Sequence, residues 1–139
     1  GNTLCSQPVI IEDFFPTILE MAGVKNPEQI GGVIDGQSFA SLLHGERDAA
    51  REQRPLFWHF PNNWGPRGPG IGASSSIRLG DWKLIRYYED DRMELFNLVD
   101  DLGEQHNRSV SHSEIRDRLA GRLSAYLSSV DAQFPVRRP

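Results

Sequence analysis

Apolar residues at Ile11, Phe14, Phe15, Ile18, Leu19 and Ala22 recur at helical spacing, which predicts a helix with one apolar face. Asp13 is placed to cap it, Pro16 falls where a missing N–H breaks no intrahelical bond, and Gly23 supplies the stop. Residues 24–35 read as loop. A shorter helix is expected from Ser38 to His44, with Phe39, Leu42 and Leu43 inward, and Gly45 ends it. The charged stretch from Glu46 to Arg54 reads as solvated.

The pattern then changes to that of strands. Pro55 to Phe60 is rich in aromatic residues. Ser75–Leu79 and Lys83–Tyr88 flank Gly80-Asp81, a hairpin turn. Met93–Leu98 follows the polar turn Glu89–Arg92. Beyond these four segments, Ser111 and Glu114 have capping-box spacing. Ile115, Leu119, Leu123, Tyr126, Leu127 and Val130 form an apolar stripe, with Arg116, Asp117, Arg118 and Arg122 on the other side. The expected fold class is α+β: a four-stranded antiparallel sheet packed by a long C-terminal helix, with an N-terminal helical segment.

One segment fits neither period. Residues 61–72 carry Pro61, Pro66 and Pro69 with Gly65, Gly68, Gly70 and Gly72, which discourages regular hydrogen bonding. Long irregular connections between strands are more often functional than merely connecting. The loop and its approach hold His59, Asn62, Asn63, Trp64 and Arg67. Aromatic faces stack on sugar rings, and a guanidinium holds sulfate or carboxylate through paired N–H bonds. These five residues are the candidate substrate-binding set. The competing reading is a loop packed on its own sheet, with Trp58 in the core, and for His59 a hydrogen-bonded core histidine. Trp82 reads as structural, packed beneath the hairpin, and Lys83 and Arg86 as a solvated or interdomain face.

Composition narrows the function. At 139 residues, with 38 % hydrophobic and 24 % charged residues, the chain is globular in character. A net charge of −4 argues against a general affinity for nucleic acid, and no apolar run approaches a membrane span. The single cysteine, Cys5, permits no internal disulfide. No phosphate loop, H-x-x-x-H pair or G-x-S-x-G elbow is present. Asp90-Asp91 and Asp100-Asp101 could hold a hard cation, but their place in turns favours bonds from side chain to backbone. No catalytic residue and no metal ligand is therefore assigned.

Four motifs in series carry a family likeness. They are Asp13-Phe14-Phe15-Pro16-Thr17-Ile18-Leu19-Glu20-Met21-Ala22-Gly23, Asp35-Gly36-Gln37-Ser38, Arg78-Leu79-Gly80-Asp81-Trp82-Lys83-Leu84-Ile85, and Glu94-Leu95-Phe96-Asn97-Leu98 with Asp101, Gly103, Glu104 and Asn107. In this order the chain resembles the C-terminal part of a type I, formylglycine-dependent sulfatase of the arylsulfatase group, of bacterial type. Leu102 and Arg108 depart from the usual pattern, which touches one turn.

The resemblance implies a parent enzyme that hydrolyses sulfate esters of a carbohydrate or aryl substrate, in the periplasm or secreted. It implies formylglycine made from a C/S-x-P/A-x-R motif, and a calcium ion. Cys5 is followed by Ser6-Gln7-Pro8-Val9, so that motif is lacking here. Nucleophile and calcium are thus expected in a preceding catalytic domain, and no cofactor in this part. On this reading residues 1–45 are a helical junction toward that domain and residues 46–139 a sheet subdomain that lends loop residues to a pocket for a sulfated small molecule or glycan. The junction segment alone is expected to expose apolar surface and to favour self-association. The alternatives are a non-catalytic glycan-binding module and a structural or dimerisation module.

Overall fold

A computed structural model describes residues 4–26, 28–62 and 72–136. The chain divides into two compact units, Gly1–Arg54 and Pro55–Pro139.

In the first unit a short 3-10 turn, Ile11–Asp13, leads into α1, Phe14–Met21. Three single-turn helices follow: α2 (Glu28–Gly31), inside the stretch expected to be loop, α3 (Ala40–Leu43) and α4 (Ala49–Glu52). The α1 helix is turned inside out relative to a surface helix. Its buried members are Pro16 and Thr17. Phe14 and Phe15 are half exposed, and Ile18 and Met21 are 62 % and 67 % exposed. Thr17 Oγ1 donates to the Asp13 carbonyl at 2.6 Å and accepts from the Phe39 N–H at 3.0 Å, fixing α1 to the approach of α3. Phe14 meets Phe39 edge to face at 5.1 Å. Leu42 is buried but Leu43, expected inward, is exposed.

Two expectations are corrected here. Asp13 does not cap α1: its side chain makes no bond to the α1 N–H groups. It is fully buried and accepts from the backbone N–H of Gln37 at 2.8 Å and of Ile10 at 3.2 Å. The stretch 46–54, which groups with this unit, is solvated only in part: Glu46, Arg47, Ala49, Ala50 and Gln53 are exposed, but Arg51 is buried. Asp48 caps α4 through the N–H groups of Ala50 and Arg51. That places Arg51, only 1 % exposed, 2.9 Å from the Asp13 carboxylate, while Arg54 reaches its other oxygen at 2.7 Å. Arg51 also donates to the Gln37 and Ser38 carbonyls. A buried carboxylate needs such partners, because uncompensated burial of charge is prohibitive. Burial works to raise the Asp13 pKa, yet the bonds from Gln37, Arg54 and Ile10 prevail and hold it below the ordinary carboxylate value.

In the second unit β1 (Leu56–Phe60), β2 (Ser74–Leu79), β3 (Trp82–Tyr87) and β4 (Met93–Asn97) form an antiparallel sheet in the order β1-β2-β3-β4. The Gly80-Asp81 hairpin sets Leu79 opposite Trp82, with Gly80 at φ +56°, where an L side chain is strained. The long helix α5, Ser113–Ser129, covers one face. Phe57, Ile77, Leu84 and Leu95 lie side by side in the register and point at that helix. Ile77, Leu84 and Leu95 pack against Leu119, Leu123 and Leu127, the expected stripe. Phe57 stacks on Tyr126 with ring centroids 3.8 Å apart. Trp82 joins the same layer and lies 5.1 Å from the His112 ring.

The capping box at Ser111 and Glu114 does not form. His112 occupies the cap position without a side-chain bond, and Ser111 Oγ turns to the Arg108 carbonyl and His112 Nδ1. Trp58 is not in the core: it lies on the opposite face from α5 and is 44 % exposed. The acidic pairs serve turns. Asp101 accepts from the N–H groups of Gln105 and His106 at 3.0 and 2.8 Å, which lowers its pKa. Asp90 accepts from the Arg92 N–H, and Asp91 pairs with Arg86 at 2.8 Å.

Candidate functional site

β1 delivers the chain into the irregular segment, and His59 is the last inward-facing residue before it. His59 stands opposite Ser75 in the β1–β2 register. Its Nδ1 is 2.6 Å from Ser75 Oγ and its Nε2 is 2.8 Å from the Gln133 carbonyl. Ser75 Oγ in turn lies 2.7 Å from the Tyr88 hydroxyl. A carbonyl only accepts, so Nε2 carries the proton. In the neutral imidazole Nδ1 must then accept, Ser75 donates to it, and Tyr88 donates to Ser75. The Phe134 ring packs against both His59 (5.7 Å) and Tyr88 (5.5 Å). The segment after α5 thus locks the end of β1 to the end of β3.

Chemically this is an anchor. Both ring nitrogens of His59 are engaged, so it has no free lone pair to act as a base in this arrangement. What it does is hold the end of β1 to Ser75 and to the segment after α5. Asn62 follows as an exposed residue at the start of the connection. Asn63, Trp64 and Arg67, the rest of the predicted set, lie outside the described residues. Ser75, Tyr88, Gln133 and Phe134 were not among the candidates. Their signal exists only once the β1–β2 register is known, and a long connection separates those strands. Among the described residues no group of three or more His, Cys, Asp or Glu side chains gathers where it could hold a metal ion. Cys5 is free and exposed.

The fold and its motif order can now be set beside known proteins. Residues 2–131 match the family model for the C-terminal region of N-sulphoglucosamine sulphohydrolase. The chain belongs to this sulfatase C-terminal family. It is 39 % identical over 105 residues to a sulfatase of Formosa agariphila, covering 73 % of this chain and 19 % of that protein. It is 31 % identical over 97 residues to an N-acetylglucosamine-6-O-sulfatase of Bacteroides thetaiotaomicron, covering 68 % of this chain and 16 % of that protein. A solved structure bound to its substrate, D-glucosamine-2-N,6-O-disulfate, superposes with a TM-score of 0.63 at 26 % identity, over 84 % of this chain and 23 % of that one. A 2-O GAG sulfatase shares the fold at 22 % identity and a TM-score of 0.63, over 84 % of this chain and 23 % of that one. This member of the sulfatase C-terminal family therefore spans about a fifth of the length of the proteins it matches.

Proposed function

We propose that this chain is one wall of a sulfate-ester hydrolase acting on a sulfated carbohydrate, and that bond cleavage is carried out by a preceding catalytic domain of the same polypeptide. The observation that carries the reading is the outward apolar side of α1 in a chain whose family model covers residues 2–131. A helix that buries threonine and exposes phenylalanine, isoleucine and methionine is half of a packed layer. The missing half is the catalytic body. Without it, this surface drives self-association of the chain.

The carbohydrate substrate is inferred from relatives that act on N-acetylglucosamine 6-sulfate and bind a disulfated glucosamine. Formylglycine and calcium belong to the preceding domain. Bound there, the two groups would supply a nucleophile and electrostatic polarisation of the sulfate. Among this chain's described residues no metal-capable set gathers, and Cys5 is followed by Ser6-Gln7-Pro8-Val9, with the proline one place late for the modification motif and no arginine. Its own contribution is positional. His59, held through Ser75, Tyr88 and Gln133, fixes the end of β1, after which the sequence runs through Asn62, Asn63, Trp64 and Arg67, the residues assigned here to the sugar. Trp64 offers a stacking face and Arg67 a bidentate grip on an anionic group.

Sulfate release tests this. The longer protein should liberate sulfate from a glucosamine 6-sulfate substrate, and the 139-residue chain should not. In the longer protein Arg67→Ala should raise KM, and His59→Ala should lower kcat/KM by loosening the loop. Turnover by the chain alone refutes the division of labour. Unchanged kinetics in both variants reduces the loop to packing.

A further inference from the structure

The face of the sheet opposite α5 is not flat. After β4 the chain turns back over it between residues 98 and 107, and a groove of about 350 Å³ opens between this turn and the strands. Its floor is Trp58 on β1, Arg78 on β2 and Lys83 on β3, and its wall is Leu98, Leu102 and Glu104. Register places Arg78 directly opposite Lys83, with Trp58 beside them on the same face. Lys83 is tied to Glu104 at 2.6 Å, so its charge is compensated. Arg78 makes only a long bond of 3.5 Å from Nε to the Gly80 carbonyl, and among the described residues no carboxylate pairs with it. The groove therefore holds a half-exposed indole, two leucines and one uncompensated guanidinium.

Its construction is specific. The wall is held by Asp101, whose carboxylate gathers the N–H groups of Gln105 and His106. Glu104 sits at φ +54°, a left-handed conformation that costs a non-glycine residue energy. In that conformation its carboxylate pairs with Lys83, and Arg78 has no carboxylate partner among the described residues.

We propose that this groove binds an acidic saccharide, its ring on Trp58 and its sulfate or carboxylate on Arg78. The volume lies within the range of small-molecule sites, which combine apolar walls with a few fixed polar groups. An indole face suits the C–H surface of a sugar ring, and a guanidinium suits a planar or tetrahedral anion through paired N–H donors. A Lys–Glu pair alongside offers both a donor and an acceptor to hydroxyls. The groove lies on the other face of the sheet from the His59 anchor, and the inference does not rest on the enzymatic reading: failure of sulfate release would leave it intact.

The test is a titration followed by the indole N–H signals of ¹⁵N-labelled protein, with Trp58→Phe assigning the resonance. It is run on the 139-residue chain and on the longer protein with glucosamine 6-sulfate, glucuronic acid and neutral N-acetylglucosamine. The Trp58 signal should move with an acidic sugar and not with the neutral one, and the tighter of the two acids identifies the preferred anion. Arg78→Gln should weaken binding about tenfold or more, the loss of a charge-assisted bond. Leu102 is 81 % exposed, so Leu102→Asp leaves the fold intact while setting a carboxylate beside the anion, and it too should abolish the response. A Trp58 signal that stays still, follows the neutral sugar equally, or survives both Arg78→Gln and Leu102→Asp overturns the proposal. So does a response in the short chain that vanishes in the longer protein, since the rest of the polypeptide would then cover the groove.

Discussion

In the unit Gly1–Arg54 the most deeply buried side chains are Asp13, Arg51 and Thr17, and Phe14, Phe15, Ile18 and Met21 of α1 lie largely outside. In Pro55–Pro139 they are Ile77, Leu84, Leu95, Leu119 and Leu123, and Asp101 is the buried charge among the described residues. A buried ion pair repays its own desolvation poorly, but it demands one geometry. A leucine layer is insensitive to detail and supplies the larger share of stability. The first unit is thus defined in shape and weakly driven, as suits a surface completed by another body. The second carries its own driving force.

The strongest blow to this contrast is Asp13→Ala. It leaves Arg51 buried without its anion and should destabilise the first unit by about 3–5 kcal/mol. Hydrogen exchange should quicken through α1 and α4 while the sheet amides stay protected. The mirror experiment is Leu95→Ala, expected to cost the second unit about 2–5 kcal/mol by leaving a cavity under α5. Its thermal transition should fall while the first unit is unaffected. Uniform loss across both units in either variant would erase the distinction.

Acid sharpens it further. The folded pKa of Asp13 is depressed, so its contribution is present above the unfolded carboxylate value of about 3.9 and is lost as pH falls through the lower folded value. Asp101 shifts the same way because the Gln105 and His106 N–H groups favour its charged form. Below about pH 4 the first unit and the turn after β4 should open, while the sheet core, built of isoleucine and leucine, persists. Far-UV circular dichroism with residue-level NMR would follow both. The smallest effect is expected from Ile18→Ser. On an exposed position it should change stability by no more than about 0.5 kcal/mol, yet reduce self-association in sedimentation measurements.

The sheet and α5 were legible in the sequence because alternation, the Gly80-Asp81 turn and the Leu119–Leu123–Leu127 stripe are local signals. The period of α1 was equally legible. Which side faces inward was not, since period alone carries no sign. Arg51 looked like part of a solvated charge run because its partner is 38 residues away, and ion pairs across such distances leave no periodic mark. Ser111 and Glu114 had the spacing of a cap without the backbone to use it. For the candidate site, His59 stood out by type, but its fixation by Ser75, Tyr88 and Gln133 depends on a strand register that local sequence does not show.

The most direct test of the account is the exchange rate of the α1 amides and the solvent contact of Ile18 in the 139-residue chain and in the longer protein that contains it. Marked protection of α1 in the longer protein, with fast exchange in the chain alone, is the predicted result. Equal exposure in both would contradict the view that this helix is half of a layer completed elsewhere.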